Sequence, residues 1–400
     1  MHPAIDATIR ALERTLDDQL EAIFLYGSLA QGLYRPDESD MNLLVEVAAD
    51  TNVHLARDAF LPVWAAHQDT LKRAPLLAAT SALNRHLRLN PAFARHLSRT
   101  DRQIFGAPDA LDIDLTAVSP PELFSPIADE ALTVSAVLAP SLLDGAAQAN
   151  LTAKLHRLYR HMTQENPPEG DTPAQTYGRI QKRLSAAMAA LPQTKRWDAA
   201  ARKKATSPLL PGLQSIYTSG DHTILVFDHL SPQRLSQVNW DVLAQRLPGN
   251  STSLQVTTVA QASLIAAYER PLDILFKRFQ HNWGVNFLAV LEPSHRQLMR
   301  HSARTPSRLL IDDLPHTYLT APPDDDEVLH KIIHDFQNKL LNIRLENELL
   351  SRFQKAPQFT PPGPVPDRDA PPQERIAALF QHFEWWTQFY TDEMDASRDT

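Results

Sequence analysis

The residues best suited to chemistry lie in the segment YGSLAQGLYRPDESDMNLLVEV, residues 26–47. It begins with Gly27-Ser28, a pair whose turn can approach a phosphate closely and offer backbone N–H groups and a hydroxyl. It ends in an apolar strand entered by Asp40 and Asn42, which share one face because strand residues alternate. Mg²⁺ prefers hard oxygen ligands, often one or two carboxylates with phosphates and water. The segment therefore carries groups that could hold a triphosphate and a metal ion.

The elements that must position these residues form a small α/β unit. Apolar residues at steps of three or four predict a first helix from Ile5 to Glu21. Gly27-Ser28 then makes a turn between two strands. Further alternation of apolar runs and helical periods predicts strands over 22–26, 41–47 and 75–80 and helices over 53–66 and 81–105. We therefore expect an α/β domain over residues 1–115.

The motifs and their spacing resemble the signature of the polymerase-β-type nucleotidyltransferase superfamily. The matching residues are Gly27-Ser28, Ala30-x-Gly32 and Ser39-Asp40-x-Asn42-Leu43-Leu44-Val45, with Ser28 and Asp40 12 positions apart. That superfamily includes aminoglycoside and minimal nucleotidyltransferases. The resemblance implies an α+β nucleotidyltransferase-like fold in which Gly27 and Ser28 hold the nucleotide phosphates and Asp40 binds Mg²⁺. It also implies a catalytic role for Asp40 and for the residue at the position of Asn42.

If active, such a protein would move a nucleoside monophosphate from a nucleoside triphosphate (NTP) to an acceptor hydroxyl or protein side chain. Two departures from the signature bear on that activity. Asn42 stands where the superfamily has its second carboxylate, and a neutral amide oxygen is a weaker Mg²⁺ ligand. The third carboxylate usually lies on a following strand, but the candidate strand PLLAAT has no acid. Glu46 shares a strand face with Asp40 but lies about 20 Å along it. The alternative is a pseudoenzyme, a catalytically inactive module of that fold that binds a nucleotide or a protein partner.

The middle of the chain is predicted as two further regions. Residues 116–205 have helical periodicity throughout, apart from a loop. The pattern of residues 206–320 predicts a second α/β unit. It begins with a hairpin over 213–228, whose turn is Ser219-Gly220-Asp221. The elements that follow are predicted as a helix over 232–247, a strand over 253–259, a helix over 260–282 and a strand over 285–291. This order repeats that of residues 40–106. A divergent tandem copy is one interpretation, and a coincidence between two ordinary α/β units is the other.

Residues 321–400 predict a helical region interrupted by a Pro-rich linker at 361–372. His330 and His334 lie four apart on its first helix, a spacing that either binds a metal ion or belongs to a solvated face. The last helix carries an aromatic and apolar stripe, which needs a surface to cover it. That surface is predicted to be the chain's own helical region or, alternatively, a protein partner or second copy. The stripe consists of Ile376, Leu379, Phe380, Phe383, Trp386, Phe389 and Tyr390.

Composition narrows the classes of protein and partner. The 400 residues carry a net charge of −8 with no cysteine, and 43% of them are hydrophobic. The length and apolar fraction predict a soluble, multidomain protein, and an acidic balance does not favour nucleic acid as a partner. The absence of cysteine excludes disulfides and thiolate metal sites and favours the cytoplasm. No apolar run approaches the roughly 20 residues of a membrane span, so no membrane association is expected.

Overall fold

The chain forms two compact units in a computed structural model. Unit 1 comprises Met1–Ala117 and Met299–Thr400, and unit 2 comprises Val118–Leu298. The structure describes residues 2–32, 34, 40–49, 51–106, 111, 113, 115–116, 118–144, 149–163, 165–189, 212–220, 222–230, 253–322, 325–353, 365–366 and 369–397. The predicted helix over 232–247, the turn residue Asp221 and part of the Pro-rich linker lie outside these residues. The finer division into four domains stays a prediction.

The first half of unit 1 is a four-stranded mixed sheet with helices. Its strands are β1 (Leu20–Tyr26), β2 (Asn42–Val47), β3 (Leu76–Ala79) and β4 (Arg102–Gly106), in the order β3-β2-β1-β4. Strand β2 is parallel to β3, and β1 is antiparallel to both β2 and β4. The helices are α1 (Pro3–Leu16), α2 (Val53–Leu71), α3 (Thr80–Leu89) and α4 (Pro91–Thr100).

The apolar stripe of α1 explains why this helix packs where it does. Ile5, Leu12 and Leu16 are at most 2% exposed and join a core cluster with Ile23 and Val45 of the sheet. Each such side chain contributes about 1.5–3 kcal/mol through burial. The helix ends at Leu16, and a 3₁₀ turn at Asp17–Gln19 leads directly into β1.

Unit 2 contains a second four-stranded mixed sheet. Its elements, in chain order, are α5 (Pro120–Asp144), α6 (Ala149–Thr163), α7 (Pro173–Ala189), β5 (Leu213–Ser219), β6 (His222–Phe227), β7 (Ser253–Thr258), α8 (Val259–Tyr268), α9 (Pro271–Leu275) and β8 (Gln280–Gly284). The strand order is β7-β6-β5-β8. Helices α5, α6 and α7 share one core cluster with this sheet, in which Leu155 and Tyr177 pack with Leu225.

The two sheets have the same topology. In each, the first strand is antiparallel to its two neighbours and the second is parallel to the third. The irregularities coincide as well, because the register shifts between Ile23 and Phe24 in one sheet and between Ile216 and Tyr217 in the other. This correspondence agrees with the interpretation of a tandem copy. The predicted α+β class, with two mixed sheets and many helices, is confirmed.

Several element ends differ from the prediction. Residues 20–21 were predicted as the end of the first helix but begin β1, and residues 102–105 and 280–282 were predicted as helix ends but lie in the edge strands β4 and β8. Residues 285–291 were predicted as a strand, but Phe287–Val290 is a 3₁₀ helix. Both edge strands have five residues and no apolar alternation, so nothing local distinguishes them from the helical pattern that precedes them. Pairing with β1 and β5 decides their conformation.

The helices α10 (His295–Arg308), α11 (Leu314–Leu319), α12 (Asp326–Arg352) and α13 (Pro372–Ala396) complete the chain, with a π-helical turn at Leu309–Asp313 before α11. The stripe of α13 is covered within unit 1, since Phe383, Trp386 and Tyr390 have no exposed surface. Helix α12 supplies part of that cover, with Phe336 against Phe383 at 6.2 Å between ring centroids. In the structure, the chain's own helices therefore cover this stripe, as the first alternative predicts. Among the described residues, no helix has the length and apolar character required to cross a membrane.

Candidate functional site

Strand register brings the two halves of the nucleotidyltransferase-like motif together. Tyr26 pairs with Asn42 across the antiparallel strands β1 and β2, so the turn after β1 and the residues before β2 lie at the same edge of the sheet. Gly27 has φ +79°, and a Cβ built on it would lie 3.2 Å from Asn42 Nδ2. The motif's glycine is therefore favoured by its backbone conformation, and a side chain here would also press against the amide of Asn42.

The Gly27-Ser28 turn is closed by hydrogen bonds to itself and to α4. Gln31 donates its N–H to Gly27 O at 3.2 Å, and the Gly27 N–H donates to Thr100 Oγ1, also at 3.2 Å. Thr100 in turn donates its hydroxyl to His96 O at 2.9 Å. The Gly27 N–H thus already has a protein acceptor. Ser28 is half-buried at the same turn.

Asp40 lies beside a cation. Its side chain is 50% exposed, and Lys72 Nζ is 3.9 Å from Asp40 Oδ1. Lys72 follows the last residue of α2 and has φ +57°, the left-handed conformation common at helix C-termini. Strand β2 is parallel to β3, and Leu44 pairs with Leu76. Asp40 lies four residues before Leu44, and Lys72 lies four residues before Leu76.

Arg73 forms the next part of the site. It makes an ion pair with Asp312, which the π-helical turn of the C-terminal segment brings to this edge of the sheet. Burial alone would lower the pKa of Arg73, but the negative charges of Asp312 and Asp40 and the neighbouring Tyr26 outweigh it and raise the pKa. The guanidinium is therefore permanently charged and pairs with Asp312.

The pKa of Tyr26 is affected by burial and by the charges of Arg73, Asp312 and Asp40. Burial raises its pKa to about 12, the charge of Arg73 opposes that shift, and Asp312 and Asp40 add to it. The ring also contacts α4 edge-to-face, with centroid distances of 5.8 Å to Phe93 and 6.4 Å to His96. Tyr26 is therefore a neutral phenol at physiological pH and no candidate for a base there.

Among the described residues, the donor set does not fit the Mg²⁺ site that the resemblance implies. Asp40 is accompanied by the amide of Asn42 and the ammonium of Lys72, while the carboxylate of Asp312 is paired with Arg73. In the part of the chain that the structure describes, no group of three or more His, Asp or Glu side chains could hold a metal ion. Two unit positive charges about 4 Å apart repel by roughly 4 kcal/mol at an effective dielectric constant near 20. A divalent cation beside Lys72 would meet about twice that repulsion.

Glu46 does not restore the missing acid. It lies toward the other end of β2, only 2% exposed, and burial raises the pKa of its carboxyl group. Sequence reasoning singled out Gly27, Ser28, Asp40 and Asn42, and the structure brings these residues to one edge of the sheet. It missed Lys72, Arg73 and Asp312. Lys72 and Arg73 lie only a few residues before the strand PLLAAT, so their position near its start was visible in the sequence. The contact between Asp312 and Arg73 joins residues 239 positions apart, so local sequence could not predict it.

The corresponding edge of unit 2 lacks this turn and loop. Ser219 pairs with His222 where Tyr26 pairs with Asn42 in unit 1, and only two residues separate Ser219 from His222. Gly220, the first of them, has φ +55°. Unit 2 therefore has no room for a counterpart of Gly27-Ser28 and of the chain that leads to Asp40.

The histidine pair of α12 has protein partners. His330 Nδ1 lies 3.3 Å from an Arg375 guanidinium nitrogen, and His334 Nε2 lies 3.2 Å from Asn338 Nδ2. Each contact gives one ring nitrogen of the pair a protein partner, as a hydrogen-bonded surface pair would have. The solvated-face alternative is the better account of this pair.

No family model matches this chain, and no curated protein matches it. Among solved structures, the chain is similar to spectinomycin adenyltransferase from Enterococcus faecialis, solved with ATP and spectinomycin. The two are 14% identical, the match covers 48% of this chain and 91% of that chain, and the TM-score is 0.28. A TM-score this low does not define a fold, so the architecture rests on the strand pairing itself.

Proposed function

We propose that unit 1 is a nucleotide-binding module of the nucleotidyltransferase type that does not transfer nucleotides. The carrying observation is the register of β1 and β2, which unites Gly27-Ser28 with Asp40 and Asn42 at one sheet edge. Those are the residues to which the resemblance assigns phosphate and metal binding. The ligand would be a nucleoside triphosphate, with its phosphates at the Gly27-Ser28 turn.

The charges around Asp40 support binding without transfer. Nucleotidyl transfer needs a metal ion that bridges the phosphates and neutralises developing charge. Among the described residues of this edge, two carboxylates each lie beside a cation, Asp40 with Lys72 and Asp312 with Arg73. Asn42 adds no charge. The groups that would concentrate Mg²⁺ are therefore neutralised by the chain itself.

Isothermal titration with ATP, followed by a labelled-nucleotide transfer assay, tests this function. We expect saturable ATP binding and no transfer of label to protein or to added acceptor hydroxyls. Ser28→Ala should weaken ATP binding by about three- to tenfold through loss of one hydroxyl donor. Ser98→Ala, at an exposed position on α4, is the matched control and should bind as the parent does.

The same assay distinguishes the active alternative. Saturable transfer that is lost in Asp40→Ala but kept in Asp335→Ala, an exposed position on α12, would establish a transferase and overturn the inactive proposal. Failure of any nucleoside triphosphate to bind would overturn the nucleotide-binding function altogether. A protein partner or homodimer and a cytoplasmic location belong to the proposal as expectations, the latter because the chain has no cysteine.

A further inference from the structure

We infer that Lys72 and Arg73 take the place of the catalytic metal, so that unit 1 binds the polyphosphate of a nucleoside triphosphate without a divalent ion. This inference rests on the proposed nucleotide-binding function. It adds the identity of the cations that meet the phosphates. Neither residue belongs to the motif that the sequence shares with nucleotidyltransferases.

The position of the two residues carries the inference. They lie in the short connection between α2 and β3, and the ion pair with Asp40 places the Lys72 side chain at the motif's acid. A carboxylate at position 72 would lie near Asp40 and could complete a metal-binding pair. The chain instead has an ammonium 3.9 Å from Asp40 and a guanidinium in the next position.

The four described charged side chains of this edge already include two cations. Asp40 and Asp312 carry two negative charges, and Lys72 and Arg73 carry two positive charges, so the four side chains sum to zero. A site of carboxylates alone is strongly negative and repels a polyphosphate until metal ions bind. Arginine and lysine are also the side chains that bind phosphate most directly, and a guanidinium with five N–H donors is not exhausted by one carboxylate.

The segment that carries the cations is held on both sides. Lys72 donates its backbone N–H to Gln68 O at 3.3 Å, which ties it to the end of α2. Ala74 donates its N–H to His316 Nδ1 at 3.0 Å, and Arg73 is bound to Asp312. Helix α11 and the π-helical turn therefore fix residues 72–74 before any ligand arrives. Such preorganisation lowers the entropic cost of binding.

The test is a calorimetric titration of the full chain with ATP, once in EDTA and once in MgCl₂, together with a titration of MgCl₂ alone. We expect ATP dissociation constants that agree within about threefold in the two buffers, and no Mg²⁺ binding to the chain by itself. Lys72→Gln should weaken ATP binding in EDTA by about tenfold, since a charged hydrogen bond to phosphate is lost. Lys331→Gln, at an exposed position on α12, is the matched control and should leave the constant unchanged.

A second variant guards against a folding defect at position 72. Lys72→Arg keeps the positive charge, so it should retain ATP binding within about threefold while Lys72→Gln does not. ATP binding that is tenfold or more weaker in EDTA, or a Mg²⁺ site that disappears in Asp40→Ala, would overturn the inference and leave nucleotide binding intact. Absence of ATP binding in both buffers would instead overturn the proposed function, and this inference with it.

Discussion

Gly106 and Gly284 occupy the same position in the two sheets. Gly106 ends β4 opposite Ala22 of β1, and Gly284 ends β8 opposite Ser215 of β5. A Cβ on Gly106 would lie 2.2 Å from Glu21 O, and one on Gly284 would lie 2.0 Å from Gln214 O. Both glycines have positive φ, +98° and +86°. Each edge strand therefore needs a glycine to close against the first strand of its sheet.

Gly106→Ala and Gly284→Ala should each lower the free energy of unfolding by about 2–4 kcal/mol, since the new methyl group meets a backbone carbonyl as well as a disfavoured φ. Gly170→Ala is the matched control. Gly170 has φ +84° but no atom within 4 Å of a built Cβ, so only the backbone strain of about 1 kcal/mol is expected. Urea denaturation of the three variants measures the difference. Equal losses in all three would show that the close approach is unimportant.

His86 should make the folded state sensitive to acid. Its ring is buried with Nδ1 2.8 Å from Ser307 Oγ, and burial lowers its pKa from 6.5 to about 4. Between pH 6.5 and pH 4, His86 is therefore protonated in the unfolded chain but neutral in the folded chain. The free energy of unfolding falls as the pH falls through this interval. The loss attributable to His86 is about 3 kcal/mol over this interval.

Urea denaturation at pH 7.5 and pH 5 checks this prediction by comparing the parent chain with His86→Gln. Burial also lowers the pKa of His54, His96 and His316, so the two proteins must be compared rather than the parent read alone. The parent should lose more stability between the two pH values than the variant does. Parallel pH profiles would mean that His86 titrates normally in the folded state.

Arg57 should hold the C-terminal segment against α2. The side chain is 7% exposed and donates to three carbonyl oxygens, those of Tyr318, Ala321 and Pro322, at 3.2, 3.1 and 2.9 Å. Arg57→Met keeps most of the stem but removes these bonds, at an expected cost of about 3 kcal/mol. Hydrogen exchange in α11 should accelerate, while Arg10→Met, at an exposed position on α1, should change stability by less than about 0.5 kcal/mol. Unchanged exchange in α11 would contradict the role.

A buried polar network should behave as one unit in unit 2. Gln261 accepts from Thr257 and Gln181 and donates to Ala128 O at 2.8 Å, and all its atoms are buried. Gln261→Leu leaves those partners unsatisfied and should cost about 2–4 kcal/mol. The double variant Gln181→Leu/Gln261→Leu should cost clearly less than the sum of the single changes, since both partners of one bond are gone. Additive losses in urea denaturation would show that the two residues act separately.

Much of the fold could be predicted from sequence where the signal is local. The stripe of α1, the hairpin of β5 and β6, and the long helices α12 and α13 follow from apolar spacing and turn residues. The candidate turn and strand around Gly27-Ser28 and Asp40 also follow, because a Gly-Ser turn and a polar loop lie between two apolar runs. These features depend on neighbours within a few residues, so a single chain is enough to predict them.

Tertiary structure decided the rest. The edge strands β4 and β8 carry no pattern of their own, and they exist because distant strands β1 and β5 offer hydrogen-bonding partners. The charge of the candidate site was decided the same way. Asp40 and Asn42 alone indicated a weakened metal site, whereas the parallel pairing of β2 with β3 put Lys72 beside Asp40 and the C-terminal helices brought Asp312 to Arg73. Local periodicity determines which segments become helices or strands, but only the folded chain determines which charges meet.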